Sequence, residues 1–232
     1  EFFGVITDTA PLMIIIGLAE CSLYDLLYED DIEIPIPCRY QIIAGIISGV
    51  RYIHSRDVMH RDIKSKNILV KHANIYNRDN FKLSDFGSAY NMNATTQSLR
   101  SKGDSNQGTL AWMAPEQNDP KFRYCKNTEM YPVGIVMYET LSGNLPFGNP
   151  KTHIIINDRE IFRYLDKDKR PYDHHPIADE NEIDGQIISL MKTCCNKNPL
   201  SRPKINQASE IINNICIEYP LLEINNSNDH VF

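Results

Sequence analysis

His60-Arg61-Asp62-Ile63-Lys64-Ser65-Lys66-Asn67 is the most informative segment of this 232-residue sequence, and Asp85-Phe86-Gly87 follows it further along the chain. The Asp62 carboxylate can orient a hydroxyl group as a base. The amide oxygen of Asn67 and the carboxylate of Asp85 are hard ligands of the kind that hold magnesium. Phosphoryl transfer requires such an ordered set, because its transition state demands positioning and charge neutralisation rather than covalent chemistry.

The bulk composition is that of a globular protein, with 42% hydrophobic and 23% charged residues. A formal net charge of −6 gives no support to nucleic-acid binding, and no lysine- or arginine-rich block marks a membrane-surface helix. The longest aliphatic run, from Leu12 to Ile16, is far too short to span a bilayer. We therefore expect neither a nucleic-acid partner nor a membrane span in this chain.

The cysteines predict a reducing compartment. Their spacing shows neither paired zinc-site motifs nor a dense disulfide framework, so we expect reduced thiols. No charged and then apolar leader opens the chain, and a cytoplasmic location is therefore predicted. The six cysteines are Cys21, Cys38, Cys125, Cys194, Cys195 and Cys216.

The first residues predict a β-hairpin. Two apolar, β-branched runs, Phe2–Ile6 and Leu12–Ile16, flank the turn-like segment Thr7–Pro11. A hairpin of this kind would leave a long hydrophobic strand edge open unless another strand pairs with it. Because the chain also opens with Glu1 and not with methionine, we expect further strands upstream.

The remainder predicts an α+β protein that is mostly helical after the hairpin. Apolar residues recur at helical spacing from Tyr40 to His54, and Ser22 is a candidate N-cap for a short helix that ends at Leu27. Ile68–Val70 and Phe81–Leu83 resemble strands, and the polar loop from Ser88 to Gln107 has no apolar period. Three further helices are predicted over Val133–Leu141, Gln186–Cys195 and Ile205–Ile217.

Taken together, these motifs resemble the eukaryotic protein kinase family, and within it the serine/threonine type, most similar to the tyrosine-kinase-like group. The order of the motifs is the specific signal: His60-Arg61-Asp62, Asn67, Asp85-Phe86-Gly87 and Met113-Ala114-Pro115-Glu116. The resemblance covers nearly the whole chain, up to about Ile217. It implies a protein kinase-like fold, with a small-lobe remnant over residues 1–16, a hinge over 17–21, a large lobe over 22–217 and a tail over 218–232.

The resemblance also implies roles for the motif residues. Asp62 would accept or orient the proton of the substrate hydroxyl, and Lys64 would reach the transferred phosphate. Asn67 and Asp85 would bind the magnesium ions that bridge the ATP phosphates. Taken singly, Asp62 could equally cap a loop, and Asn67 or Asp85 could form a turn.

The ATP site implied by the resemblance involves the hinge. Ile16 would be the gatekeeper, and the backbone of Gly17, Leu18 and Ala19 would meet the adenine, with Leu69 completing the cofactor-binding set. The family also covers the phosphates with a glycine-rich loop and pairs them with a strand lysine that is locked to a helix glutamate. None of these precedes the hairpin, so the ATP-covering half is expected outside these residues.

Substrate and regulation follow from the same resemblance. Lys64 and the pair Gly108-Thr109 fit the serine/threonine type acting on protein substrates, although dual specificity stays open. Arg61 beside the catalytic aspartate favours a compensating anion, such as a phosphate placed on the 88–107 loop by an upstream kinase or by autophosphorylation. The hydroxyls available there are Thr95, Thr96, Ser98, Ser101 and Ser105.

Some positions are expected to be structural. Glu116 and Arg202 resemble the buried salt bridge of the family's large lobe. Glu129 stands where the family usually has an aspartate that anchors the catalytic loop, and we expect the longer side chain to reach less rigidly. Pro132 lies near the start of the central helix, where proline is tolerated. Cys195 replaces a frequent tryptophan, which predicts looser packing.

Two functional hypotheses remain open at this point, together with a third that has little support. The first is part of a competent serine/threonine kinase, and the second is a truncated pseudokinase that acts as a binding scaffold. The retained set Asp62, Lys64, Asn67 and Asp85 favours the enzyme, because a scaffold needs no phosphoryl-transfer groups. A nucleotide hydrolase of another fold would need a G-x-x-x-x-G-K-[ST] loop, which the sequence lacks.

Overall fold

The fold is α+β, with short antiparallel sheets beside a helical body. The computed structural model describes residues 2–7, 11, 13–29, 32–71, 75–93, 110–148, 154–177 and 183–221. The helices are α1 (Leu23–Tyr28), α2 (Ile36–Ser55), α3 (Lys126–Ser142), α4 (Asp158–Asp166), α5 (Pro171–His174), α6 (Gly185–Cys194) and α7 (Ile205–Glu218). The strands are β1 (Phe2–Ile6), β2 (Met13–Ile16), β3 (Cys21–Ser22), β4 (Val58–Met59), β5 (Ile68–Val70), β6 (Phe81–Leu83) and β7 (Tyr90–Asn91).

The hydrophobic core is built around α2 and α3. Helix α2 packs against α3 and α7, and α3 also packs against α6. Every residue of α3 from Thr128 to Leu141 is buried. A helix that is apolar all round and buried on all sides forms the centre of a large domain, with the other helices arranged around it. The remaining elements are therefore positioned relative to α3.

The contact between α3 and α6 depends on Gly134. A Cβ atom at this glycine would lie 2.7 Å from both the Cys194 Cβ and the Cys195 Sγ. The helices therefore touch at the position where the cysteine in place of tryptophan predicted looser packing. The small glycine lets the Cys195 thiol come close at this point, and looser packing around Cys195 stays a prediction.

The hairpin β1–β2 has the predicted antiparallel pairing, with Phe2 opposite Ile16 and Ile6 opposite Met13. Leu12, the predicted first residue of the second strand, and most of the predicted turn lie outside the described residues. Side chains on both faces of the hairpin are exposed, and Ile14 is 70% accessible. Aliphatic side chains of a strand are normally packed against a core.

Two short sheets carry the segments that matter for the site. In the first, β5 lies between β3 and β6, with Ile68 opposite Leu83. In the second, β4 pairs with β7 through Met59 and Tyr90. Because β5 and β6 are antiparallel, the residue before β5 and the residues after β6 lie at the same end of the sheet.

Several element boundaries differ from the sequence-based expectations. The central helix begins at Lys126 and not near Val133, so Pro132 lies inside it and not in its first turn. The prediction was short because polar residues at this end, such as Thr128, are buried and hydrogen-bonded instead of exposed. Helices α4 and α5 were not predicted individually.

The beginning of the polar 88–107 loop contains a short strand, although the segment has no apolar period in the sequence. Tyr90 is buried and belongs to β7, and Met92 donates its N–H to the Asp57 carbonyl oxygen at 2.8 Å. Residues 94–107 of that loop lie outside the described residues. At the other end of the chain, α7 stops at Glu218, close to the predicted end of the large lobe. None of the described helices combines the length and the apolar character needed to cross a bilayer.

Candidate active site

The predicted catalytic loop connects β4 to β5 and brings Asp62, Lys64 and Asn67 together. The Asp62 Oδ2 atom accepts hydrogen bonds from the Lys64 Nζ at 2.7 Å and from the Asn67 Nδ2 at 2.9 Å. The Asp62 and Lys64 side chains are each 18% exposed. Among the described residues, none donates to the other carboxylate oxygen, Oδ1, which can therefore accept a proton from a bound hydroxyl.

The Asn67 side chain is oriented by two hydrogen bonds to a single residue. Its amide nitrogen donates to the carbonyl oxygen of Asp62 at 2.8 Å as well as to the carboxylate. Since the nitrogen is committed to Asp62, the amide oxygen is the atom that remains for a cation. The side chain is nearly buried, which restricts the directions from which a ligand can approach.

Asp85 lies close to Asn67 because of the strand pairing. The carbonyl oxygen of Asn67 accepts from both the backbone N–H of Ser84 at 2.9 Å and the Ser84 hydroxyl at 3.0 Å. Asp85 follows with φ at +59°, a left-handed conformation that is uncommon outside glycine. One of its carboxylate oxygens accepts from the Gly87 N–H at 3.3 Å, and the side chain is exposed.

Glu129 of α3 holds the backbone of the catalytic loop. Its Oε1 accepts from the Arg61 N–H at 2.6 Å, and its Oε2 lies 2.6 Å from the His54 Nε2. Arg61 has φ at +67°, so this bond stabilises a strained backbone conformation. The glutamate is fully buried, and its Oε1 does reach the loop.

The Arg61 side chain points towards the segment that follows Asp85. Its Nε donates to the Ser88 carbonyl oxygen, and its guanidinium carbon lies 5.6 Å from the centre of the Tyr90 ring. His60 contacts the Phe86 ring at 4.8 Å between centroids and bonds the Ser84 carbonyl oxygen at 2.8 Å. These contacts join the two motifs into one unit and give His60 a packing role.

Glu139 is a residue of the site region that the motif pattern did not single out. Its Oε1 accepts from the Ser65 hydroxyl at 2.6 Å and the Tyr28 hydroxyl at 3.1 Å, and its Oε2 accepts from the Trp112 indole N–H at 2.6 Å. Burial raises the pKa of Glu139 to about 7, although the three hydrogen bonds oppose this change. The available signal was a glutamate inside the otherwise apolar run of α3.

The predicted ATP-binding residues are only partly brought together. Gly17, Leu18 and Ala19 form an irregular connection, and Leu18 is 91% exposed. The connection leads into β3, which pairs with the strand that contains Leu69 through the Ser22–Leu69 pair. Ile16 ends β2 within the exposed hairpin.

The donor set fits a magnesium ion that is completed by phosphates and water. Within the described ranges, no group of three or more histidine, cysteine, aspartate or glutamate side chains could enclose a metal by itself. Magnesium is typically bound by one or two protein oxygens together with substrate phosphates. The Asn67 amide oxygen and the Asp85 carboxylate are such a pair.

The predicted buried ion pair is present below the site. The Arg202 guanidinium donates two parallel hydrogen bonds to the Glu116 carboxylate, at 2.6 and 2.7 Å. The same guanidinium lies over the Tyr131 ring of α3 at 5.2 Å and donates to the Asn196 carbonyl oxygen. The pair therefore ties the segment after the 110–112 turn to the core.

The fold and the arrangement of Asp62, Asn67 and Asp85 are those of the phosphotransferases in which a carboxylate orients an acceptor hydroxyl. The profile of the protein kinase domain matches residues 1–212, which is most of the sequence. The chain belongs to the protein kinase domain family. This family uses ATP together with a divalent metal ion, and its members act on protein substrates.

Individual relatives are protein kinases by name, and two of the three described here are named as serine/threonine kinases. The chain is 29% identical to receptor-interacting serine/threonine-protein kinase 2 of Bos taurus over 216 residues, covering 88% of this chain and 36% of that protein. It is 35% identical to mitogen-activated protein kinase kinase kinase 13-B of Xenopus laevis over 115 residues, covering 49% of this chain and 11% of the relative. Serine/threonine-protein kinase TIO of Arabidopsis thaliana is 29% identical over 204 residues, covering 87% of this chain and 14% of the relative. The chain thus spans about a third or less of the length of each.

Proposed function

We propose that this chain carries the large-lobe catalytic machinery of a protein serine/threonine kinase, which transfers the γ-phosphate of ATP to hydroxyl groups of proteins. The single observation that carries the proposal is the Asp62 carboxylate, which Lys64 and Asn67 hold by one oxygen while the other accepts no hydrogen bond from described residues. A base for an acceptor hydroxyl needs this combination of fixed position and available oxygen.

In this proposal each motif residue has a separate task. Asp62 orients the acceptor hydroxyl and receives its proton through Oδ1. The Lys64 ammonium, 2.7 Å from Asp62, supplies positive charge beside the place where negative charge develops on the transferred group. Asn67 and Asp85 would hold Mg²⁺ by their free oxygens, and the metal would supply positive charge that offsets the charge of the ATP phosphates.

The adenine would occupy the space between the hinge and β5. The backbone of Gly17, Leu18 and Ala19 lies at the edge of β3 and offers N–H and C=O groups, while Leu69 of β5 offers an apolar surface. Ile16 would limit the depth of this space. The proposal is supported by the pairing of β3 with β5, which places the exit of the hinge beside Leu69.

Specificity, regulation and location are extensions of the same proposal. Lys64 and the names of the relatives favour serine and threonine acceptors in protein substrates. The Arg61 contacts to the beginning of the 88–107 loop favour control by phosphorylation of that loop, by an upstream kinase or by the protein itself. None of the six cysteines, all of which lie in the described residues, belongs to a disulfide bond, which favours a reducing, cytoplasmic environment.

The test is a phosphotransfer assay on the full-length protein that contains this chain, with Mg-ATP and a generic protein substrate, followed by phosphoamino-acid analysis. We expect phosphoserine and phosphothreonine. Asp62→Ala should lower kcat by about 10²- to 10⁴-fold, the usual contribution of a positioned base. Asp85→Asn should raise the Mg²⁺ concentration needed for half-maximal activity.

A matched control is Asp158→Asn, which removes one carboxylate from the exposed start of α4 without touching the catalytic loop. This variant should keep full activity. If the full-length protein is inert with Mg-ATP, or if Asp62→Ala is as active as the unmodified protein, the enzyme proposal fails. A scaffold role would then be the better account.

A further inference from the structure

Glu139 of α3 is a buried carboxylate to which the proposed transfer reaction gives no task. It is fully enclosed by protein. Its two oxygens bind donors from three segments that are distant in the sequence: Tyr28 in α1, Ser65 in the catalytic loop, and Trp112 in the 110–112 turn. One side chain on the central helix therefore sets the separation of these segments.

The bond to Ser65 reaches directly into the catalytic loop. Ser65 begins the three-residue 3-10 helix that ends at Asn67, and this helix is closed by the Asn67 N–H bond to the Lys64 carbonyl oxygen at 2.9 Å. Both Ser65 and Asn67 are buried. Because so short a helix leaves little freedom between its first and last residues, holding the Ser65 hydroxyl also holds the Asn67 amide.

The bond to Trp112 fixes the opposite side of the carboxylate. Trp112 is buried and directly precedes the segment that leads to Glu116 and its ion pair with Arg202. Since Ser65 and Trp112 bind different oxygens of one planar carboxylate, their relative position is set by the dimensions of that group and by the rigid helix behind it.

Core stability alone does not require an ionisable group here. Replacing a buried ion and its partners together by apolar residues is often neutral or stabilising. A carboxylate with three donors instead specifies geometry, since each donor must approach along a particular direction. A shift of about 1 Å in reacting groups can lower a rate by about 100-fold, so geometry at this place matters for the chemistry.

We propose that Glu139 is a positioning residue of the transfer reaction. Through its bonds to Ser65 and Trp112, it holds the catalytic loop at a fixed position relative to the turn at Trp112. This inference rests on the proposed function. It assigns Glu139 no contact with substrate or nucleotide. Its effect is transmitted through the Ser65 hydroxyl to the Asn67 amide, and through the indole N–H to the segment that follows Trp112.

The kinetic test uses the full-length protein at about pH 8, where the Glu139 carboxylate is largely ionised because its pKa is about 7. Ser65→Ala and Glu139→Gln should each lower kcat about 10-fold with the KM for the protein substrate nearly unchanged, and Ser65→Ala should add little in the Glu139→Gln background. Thr140→Val is the matched control, because it removes a buried hydrogen bond from the same helix, that to the Val136 carbonyl oxygen. It should change kcat less than two-fold.

A second readout does not depend on activity. Hydrogen–deuterium exchange of the peptide that contains residues 62–67 should accelerate in Ser65→Ala and Glu139→Gln but not in Thr140→Val. Unchanged exchange in both site variants would overturn the inference, as would additive losses of kcat in the double variant. If the unmodified protein shows no phosphotransfer, the proposed function fails, and the exchange data alone decide whether Glu139 positions the loop.

Discussion

The pKa of Glu139 predicts that the free energy of unfolding falls as the pH rises through the neutral range. Burial raises this pKa from its ordinary value of 4.5 to about 7. Between those values the unfolded chain has released the proton while the folded chain still holds it, so stability decreases with pH. The stabilisation is complete below about pH 4.5 and is lost as the pH passes 7.

The size of the effect follows from the same two values. One pKa unit of difference between the folded and unfolded states corresponds to about 1.4 kcal/mol, so the rise from 4.5 to about 7 corresponds to about 3 to 4 kcal/mol. Most of this loss of stability should occur between about pH 5 and pH 8. Other carboxylates also make the free energy of unfolding depend on pH. Only the difference between the unmodified chain and a variant of Glu139 isolates the contribution of this residue.

The assay is urea denaturation of the chain at about pH 5 and pH 8, followed by the fluorescence of Trp112, its single tryptophan. Glu139→Gln cannot ionise, so its free energy of unfolding should fall by about 2 to 3 kcal/mol less than that of the unmodified chain over this range. Glu210→Gln, which removes an exposed carboxylate of α7, is the matched control. Parallel pH profiles for the unmodified chain and Glu139→Gln would refute the reasoning.

Three further predictions concern packing and buried charge. Gly134→Ala should lower the free energy of unfolding by about 2 kcal/mol or more in urea denaturation, because its Cβ would lie 2.7 Å from the side chains of Cys194 and Cys195. Gly185→Ala, whose Cβ meets nothing within 4 Å, should be neutral or slightly stabilising, and equal losses in the two variants would contradict the close helix contact. Glu116→Gln leaves the buried Arg202 guanidinium without its anion and should lower the free energy of unfolding by about 3 kcal/mol. An unchanged urea concentration at the midpoint of unfolding would show that the ion pair contributes nothing to stability. Glu129→Gln should accelerate amide exchange of the catalytic loop, with an unaltered exchange rate as the contrary result.

Much of the helical framework could be predicted because its periodicity is visible in the sequence. Helix α7 was predicted over nearly its full length, since it has one buried and one exposed face. The strands β5 and β6 were predicted at their observed bounds. The first turns of α3 were missed, because a helix buried on all sides has no alternation of polar and apolar faces to reveal it.

The chemical groups of the candidate site could also be identified from the sequence, but their arrangement could not. The motif spacing selected Asp62, Asn67 and Asp85. It did not say which Asp62 oxygen stays available, or that Glu139 would be bonded by side chains from three segments. Hydrogen bonds between residues far apart in the chain produce no periodic pattern in the sequence.

What the sequence by itself determined is therefore the class of chemistry and the helical framework, because motif order and local periodicity are properties of neighbouring residues. The tertiary structure alone decided that β5 and β6 bring Asn67 and Asp85 to one end of a sheet, and that Glu129 and Glu139 of one buried helix hold the loop between them. Both carboxylates can be buried only because donors from distant segments converge on them, and that convergence exists only in the folded chain.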